Sequence, residues 1–564
     1  MIVRRPIPDS HQALLATGIS PILARIYAAR GVVDAAEVDC SLAALPDFGR
    51  LANIDAAAER LAQAIDRHER IVIVADYDAD GATACAVGMR GLHAMGANVD
   101  FLVPNRFEFG YGLTPEIVAV AARSAPRLLV TVDNGIASVD GVRAATTAGI
   151  DVLITDHHLP GSELPAPAII VNPNQPGCAF PSKHIAGVGV MFYVLCALRA
   201  HLRKQQTFAQ RAEPNLASLL DLVALGTVAD VVRLDHVNRI LVEQGLGRIR
   251  NGRAQPGVAA LFAVAGRDAR RATASDLGFV AGPRLNAAGR LADMSLGIRC
   301  LLAESAAEAE PMARELDRLN RERRDIETTM QEEALAEVEK AATPGDMNAY
   351  TLCAYRPEWH QGVIGIVASR LKDRYHRPVI VFARTGEHEL KGSGRSISGF
   401  HLRDALDLVA KRAPGTITRF GGHAFAAGLS IVDDALPRFI AEFEAIARET
   451  LSDAALRRTH ESDGALSPGE LTLELGAMLR ERVWGQGFPA PAFDDIFEVT
   501  DQRSVGEGHA KLTIMRGSER FMAIAFRTPA MMPPRIHALF RPEINRWNGV
   551  SNLELVIDHW SPAT

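Results

Sequence analysis

The sequence has no long apolar run. Its longest uncharged apolar stretch, Ile185 to Leu198, is 14 residues, short of the roughly 20 that a membrane-spanning helix needs. Arg4, Arg5 and Pro6 lead into a polar stretch, without the apolar segment of a signal peptide. Cysteine is sparse: six residues, at 40, 85, 178, 196, 300 and 353, with no CxxC pair. Such dispersed thiols read as reduced core residues of a cytoplasmic protein, which excludes a disulfide scaffold and argues against structural zinc. Neither sign of charge dominates: 61 Lys and Arg against 67 Asp and Glu leave a net −6. A polyanionic partner would therefore have to be met by a local basic patch. There is no P-loop, HExxH or GxSxG motif, so ATPase, zinc-protease and hydrolase-elbow readings lack support.

What is present is an ordinary globular composition, 48% hydrophobic and 23% charged over 564 residues, long enough for about three or four domains. Residues 1–50 have weak periodicity and read as an N-terminal extension. From there, short apolar runs at Ile71–Ala75, Val99–Val103, Arg127–Val132, Val152–Thr155 and Ala168–Val171 alternate with Ala-rich, helix-period stretches. This is the pattern of right-handed βαβ units and a mostly parallel sheet. Residues 305–342 read as a long charged connector helix, 343–455 as a second α/β region, and 460–564 as a small antiparallel barrel.

The acidic residues follow the strands. Asp76-Tyr77-Asp78-Ala79-Asp80-Gly81 comes directly after the first run, Asp133-Asn134-Gly135 after the third, and Asp156-His157-His158 after the fourth. In an open parallel sheet the carboxyl ends of the strands form the ligand crevice. Asp230, after the apolar stretch LLDLVALGTV, is a candidate to join them. Gathering so many carboxylates is costly unless cations compensate. Hard oxygen donors with imidazoles suit Mn²⁺ or Mg²⁺, and a pair of such ions about 3.5–4 Å apart activates water for phosphoryl displacement. An EF-hand reading of DxDxDG fails, because the twelfth position is Val87 and a strand precedes the loop.

In order and spacing, VADYDADGATA, VTVDNGI and ITDHHLP resemble the first motifs of the DHH phosphoesterase superfamily. ALGTVADVVRLDHVNRILVEQGL and GPRLNAAGRLADMSLGI resemble its RecJ branch; WHQGVIGIVASRL, GSGRSISGFHL and FGGHAFAAGL resemble the associated DHHA1 domain. The resemblance covers roughly residues 50–450. It implies an α/β fold: a parallel-sheet DHH domain (51–304) joined by the long helix to a DHHA1 domain, followed by an OB-type barrel. It also implies a single-strand-specific 5′→3′ DNA exonuclease of recombination and repair that releases 5′-mononucleotides by two-metal catalysis. Asp76, Asp78, Asp80, Asp133, His157 and Asp230 would surround the two metals. Asp156 and His158 belong to the same motif, either as further ligands or as residues that orient them, with His158 also carried over as catalytic and Asp156 as the orienting carboxylate. Single-strand-binding protein and a RecQ-type helicase are the partners the resemblance suggests.

For the substrate, Arg106, Arg284 and Arg290 are candidates for phosphate contacts, with Asn286 in the same segment as the last two. In the second α/β region, Ser393, Arg395 and Ser396 form one tight glycine-rich segment suited to an anion, and His423 follows a Gly-Gly pair. His360 is a candidate for phosphate binding or for protonating the leaving group. Between Arg503 and Arg546, eight Lys and Arg meet three acids, a local net of +5, interleaved with Phe521, Phe526, Phe540 and Trp547. Arg516 and Arg520 are the barrel's candidate single-strand contacts. Competing readings are a phosphodiesterase for short oligonucleotides or cyclic dinucleotides, a non-catalytic DNA-binding scaffold, and a pyrophosphatase.

Overall fold

The computed structural model describes every residue except 105–111, 210, 342–348, 507, 529–530, 548 and 564, and the side chains of 337–341 and 547. It separates into two compact units, one of residues 2–317 with 461–564, the other of residue 1 with 318–460.

The first unit is organised on a five-stranded sheet: β1 (Arg70–Ala75), β2 (Asn98–Leu102), β3 (Leu128–Val132), β4 (Asp151–Thr155) and β5 (Ile169–Val171), in the order β2-β1-β3-β4-β5. All four pairings are parallel. Central strands with both faces covered need continuous apolar runs, and β1 and β3 supply them: Ile71, Ile73, Leu128 and Val130 are wholly buried. In this order the connections leave β1 and β3 in opposite directions, which opens a crevice at their carboxyl ends.

Around the sheet lie α1 (Ile54–Asp66), α2 (Ala79–Ala94), α3 (Pro115–Ala122), α4 (Val139–Thr147), α5 (Gly187–Lys204) and α6 (Leu220–Ala229). A further helix, α7 (Gly282–Leu291), continues a π-helical turn at Leu277–Ala281. The N-terminal extension holds two short helices, Ser10–Ala16 and Pro21–Ala28. Of these, Leu14, Ala24, Ile26 and Ala28 are fully buried. The charged segment is one helix, α8 (Ala306–Ala341).

The second unit carries β6 (Leu352–Tyr355), α9 (Ile364–Tyr375), β7 (Val379–Arg384), β8 (Glu389–Arg395), α10 (Leu402–Arg412), β9 (Ile417–Gly422), β10 (Ala426–Val432) and α11 (Leu436–Thr450). The sheet order is β9-β10-β8-β7-β6, with only β6 and β7 parallel. GSGRS is therefore not the tight loop its glycines suggest. It lies in and just after β8, paired on both sides, so its backbone groups are engaged in the ladders. The glycines are there for packing: a Cβ on Gly392 would stand 2.6 Å from Leu429 Cδ2 and 2.7 Å from Phe382 Cε1.

The C-terminal barrel is closed: β11 (Phe493–Val505), β12 (His509–Arg516), β13 (Glu519–Ala525), β15 (Val550–Pro562) and β14 (Arg535–Trp547), returning to β11. Phe493, Phe497 and Phe540 fill its core.

Candidate metal centre

The sheet sets the acidic motifs in step. Each continues the ladder one residue past its strand: Asp76 N–H donates to Val132 O at 3.4 Å, Asp133 N–H to Thr155 O at 3.0 Å, and Asp156 N–H to Val171 O at 3.2 Å. Asp133 then turns into the left-handed region at φ 62°, a costly conformation that concentrates at functional sites. The start of α5 closes over it; a Cβ on Gly187 would stand 2.6 Å from Asp133 Cβ, so only glycine fits there. Asp78 caps α2 by accepting from Gly81 N–H at 3.0 Å.

The carboxylates and imidazoles converge. Three sets each bring one ligand atom per residue within 4.8 Å of the others: Asp76, Asp78 and Asp133; Asp80, His157 and Asp230; Asp133, His157 and His158. Asp133 and His157 each belong to two sets, the arrangement expected of adjoining sites. His157 Nε2 stands 3.1 Å from Asp133 Oδ1, 3.5 Å from Asp230 Oδ2 and 4.0 Å from Asp80 Oδ2. That nitrogen is buried and makes no hydrogen bond among the described residues.

The electrostatics fit a cation. Burial, with the charge of His158 next, pushes His157 down to about 4, so the imidazole is neutral and ready to ligate. Burial, then repulsion from Asp230 and Asp78, holds Asp80 well above the usual carboxylate range. Asp133 is raised by burial and by Asp80, and Asp230 is raised to about 7 by burial and Asp78. Such mutual frustration among all-oxygen and imidazole donors is what a divalent cation relieves.

Several partners that hold the expected residues were not legible in the sequence. Asp80 accepts from Gly187 N–H at 2.7 Å and Val188 N–H at 2.9 Å, so the start of α5 is fastened to the first motif. Asn134 Nδ2 bridges Val74 O and Val132 O across β1 and β3. Asn174 Nδ2 donates to His157 O at 2.6 Å, and Asn172 Nδ2 to His158 O at 3.0 Å, fixing the His-His loop. The polar VNPNQ after β5 is the only sequence sign of that role.

The expected substrate contacts divide. Arg284 is 7% exposed and is consumed by Asp317, at 2.8 Å, and by Val280 O, at 2.6 Å, rather than reaching outward. Asn286 has a structural role that the sequence does not signal: its Oδ1 accepts from Ala79 N–H at 2.8 Å, clamping the first motif. Arg290 is half-buried on the same helix, and Arg106 lies outside the described residues.

In the second unit, Arg395 is half-buried and bonds Ser393 Oγ at 3.2 Å, with no carboxylate paired to it among the described residues. Burial lowers its pKa. Both side chains lie against the first turn of α9, where a Cβ on Gly365 would be 2.8 Å from Ser393 Oγ and 3.1 Å from Arg395 Nη2. His360 Nδ1 accepts from Gly362 N–H just before that helix. A helix N-terminus beside an arginine with no carboxylate partner among the described residues is the kind of surrounding an anion favours. Ser396 is corrected to a structural role, its buried hydroxyl donating to Phe400 O at 2.7 Å. His423 is exposed in the β9–β10 turn.

On the barrel, Arg516 is likewise internal to the fold, paired with Glu519 at 2.8 Å and Asp495 at 3.1 Å. Arg520 is exposed. Phe526 is 53% exposed, Phe540 is core, and the Trp547 side chain lies outside the described residues.

Fold and site together define a metal-dependent phosphoesterase of the DHH class. The DHH family N-terminal domain model matches residues 70–227, the DHHA1 domain model 348–449 and the RecJ OB domain model 462–559. The chain is 50% identical to the single-stranded-DNA-specific exonuclease RecJ of Dickeya dadantii (strain 3937), over 99% of this chain and 98% of that one. It is 48% identical to RecJ of Escherichia coli (strain K12), with the same coverage. The crystal structure of RecJ in complex with Mn²⁺ from Thermus thermophilus superposes with a TM-score of 0.84 at 31% identity, covering 100% of this chain and 79% of that one. The chain belongs to the RecJ family of exonucleases.

Proposed function

We propose that the chain is a single-strand-specific DNA exonuclease that works 5′→3′, hydrolyses phosphodiester bonds to 5′-mononucleotides and serves recombination and repair. The observation that carries the reading is the convergence of Asp76, Asp78, Asp80, Asp133, His157 and Asp230 at the sheet's switch point, in a chain whose relatives bear the name of that activity. These residues would hold two divalent cations, Mn²⁺ or Mg²⁺. Bound there, such ions supply an activated water and neutralise charge developing on the phosphoryl oxygens.

The chain's own residues position the reaction. Asp156 holds the His158 ring by its Nδ1, and in this reading the other ring nitrogen donates to a phosphoryl oxygen. Asn286 and Gly187 both hold the first acidic motif, through Ala79 N–H and Asp80 Oδ2, and Gly187 packs against Asp133 of the second. In the second unit, Ser393, Arg395 and the start of α9 take a phosphate, with His360 beside them, and the terminal 5′-phosphate of the strand is the group this reading puts there. Arg520 and Phe526 supply charge and a stacking face on the barrel.

The five-part division proposed from the sequence (1–50, 51–304, 305–342, 343–455 and 460–564) is kept as the functional layout. Single-strand-binding protein and a RecQ-type helicase are the partners this role implies, and the cytoplasm its place. The test is Asp133→Ala: release of nucleotides should be nearly abolished while single-strand binding is kept, and near-normal kcat would overturn the reading.

A further inference from the structure

Among the described residues between 51 and 316, three large apolar side chains are exposed: Leu159, Val231 and Phe279, at 75, 62 and 82%. Their places are not scattered. Leu159 directly follows His158, and Val231 directly follows Asp230. The two loops meet where His157 Nε2 stands 3.5 Å from Asp230 Oδ2. Phe279 lies in the π-helical turn Leu277–Ala281, which packs on the last turn of α6, the helix that ends at Asp230. A Cβ on Gly278 would be 3.2 Å from Val228 Cγ1, and one on Gly282 3.0 Å from Ala229 Cβ. All three residues therefore lie on segments that adjoin the acidic cluster: two directly follow its members, and the third lies in the turn packed on the helix that leads to Asp230.

Two of them sit on backbone that is kept at a cost. Val231 has φ 64°, a left-handed conformation that strains a β-branched residue and that glycine or asparagine takes readily. A π-helical turn is rare and recurs at functional sites. Neither side chain repays folding by burial, so the exposure calls for a ligand.

We infer that Leu159, Val231 and Phe279 form an apolar collar that grips the unpaired nucleobases beside the scissile bond, with Phe279 as the stacking face. The inference rests on the nuclease reading of the same site. A base in a duplex is paired and stacked on its neighbours; a base in a single strand offers free faces, and every base offers a π-face whatever its identity. Selectivity for single strands, without sequence preference, is thereby built into the reaction centre, separately from the barrel.

The test compares two 5′-phosphorylated single strands, one normal and one with abasic residues at its first three positions, cleaved by the full chain and by Phe279→Ala and Phe279→Trp. On the normal strand Phe279→Ala should raise KM about tenfold with kcat within about twofold, the signature of lost uniform binding. On the abasic strand it should change KM by less than about twofold, because no base is left to stack. Phe279→Trp should restore KM on the normal strand. Val231→Gly should raise Tm by relieving the left-handed valine, and also raise KM on the normal strand. Equal KM for wild type and Phe279→Ala on the normal strand overturns the collar, and so does an equal loss on both strands, which marks a purely structural residue. Failure of wild type itself to cleave either strand in Mn²⁺ would overturn the nuclease reading, and the collar with it.

Discussion

Asp156 holds His158 twice through one oxygen: the ring Nδ1 stands 2.8 Å from Oδ1, and the His158 backbone N–H donates to that atom at 3.0 Å. Its other oxygen accepts from Ile136 N–H at 2.9 Å, so one buried carboxylate joins the loop after β4 to the loop after β3. Burial alone would raise Asp156, but the bond to His158 and the Ile136 amide bring it below its ordinary value. Asp156 is thus a charged positioning residue. Asp156→Asn should lower kcat about 10- to 100-fold, the usual cost of losing an orienting partner, with metal-free strand binding retained. Unchanged kcat would mean that His158 is oriented by something else.

Arg395 tests the anion site of the second unit. Arg395→Ala should raise KM for a 5′-phosphorylated strand about tenfold or more, as expected for a lost charge-assisted bond. The KM for the same strand with a 5′-hydroxyl should not change. A loss equal for both strands would remove the terminal phosphate from this site.

The two barrel arginines should behave differently. Arg520→Glu should raise KM and flatten its dependence on log salt by about one or two unit charges, leaving Tm unchanged. Arg516→Glu should instead lower Tm, at a cost of about 1–3 kcal/mol, because it sets a carboxylate against Asp495 and Glu519 in a half-buried site. The reverse pattern would exchange their roles.

Asp494 is a stability group remote from catalysis. Burial opposes its charge, but Arg4, Ser462 and His537 all bond its carboxylate and bring it down from 3.8 to about 2. A carboxylate lowered in the fold contributes stability fully above its unfolded pKa. That contribution is lost as pH falls from about 4 to about 2. With partial screening on the exposed Arg4 side it amounts to about 1–2 kcal/mol. Asp494→Asn should lower Tm at pH 7 and remove part of the acid sensitivity between about pH 4 and 2, measured by thermal melts across that range. An unchanged acid profile would contradict the assignment.

Much of the first unit was readable because its signals are local. Five apolar runs gave five strands with ends shifted by at most one residue, Ile71–Ala75 becoming Arg70–Ala75, and the acidic motifs follow those strands directly. What escaped depends on distant partners. Arg284 looks like an outward arginine until Asp317 is placed beside it, and Asp80 gives no sign that its partners are backbone N–H groups of residues 187 and 188. GSGRS reads as a loop because glycine disfavours strands; pairing on both sides and the bulk of Phe382 and Leu429 override that preference. The strand Arg535–Trp547 carries no alternating signal in the sequence, because Pro542 and its charges interrupt it, although Pro542 pairs with Leu555 in β15. In residues 1–50, short helices fixed by buried contacts replace the periodicity that a longer helix would have displayed.

The most direct test of the central claim is degradation of a single-stranded DNA labelled at either end, with Mn²⁺ and then with excess EDTA. The account predicts metal-dependent release of 5′-mononucleotides from the 5′ end, with duplex spared and EDTA stopping the reaction. Binding without cleavage in Mn²⁺ and Mg²⁺, or cleavage confined to di- to tetranucleotides, would contradict it.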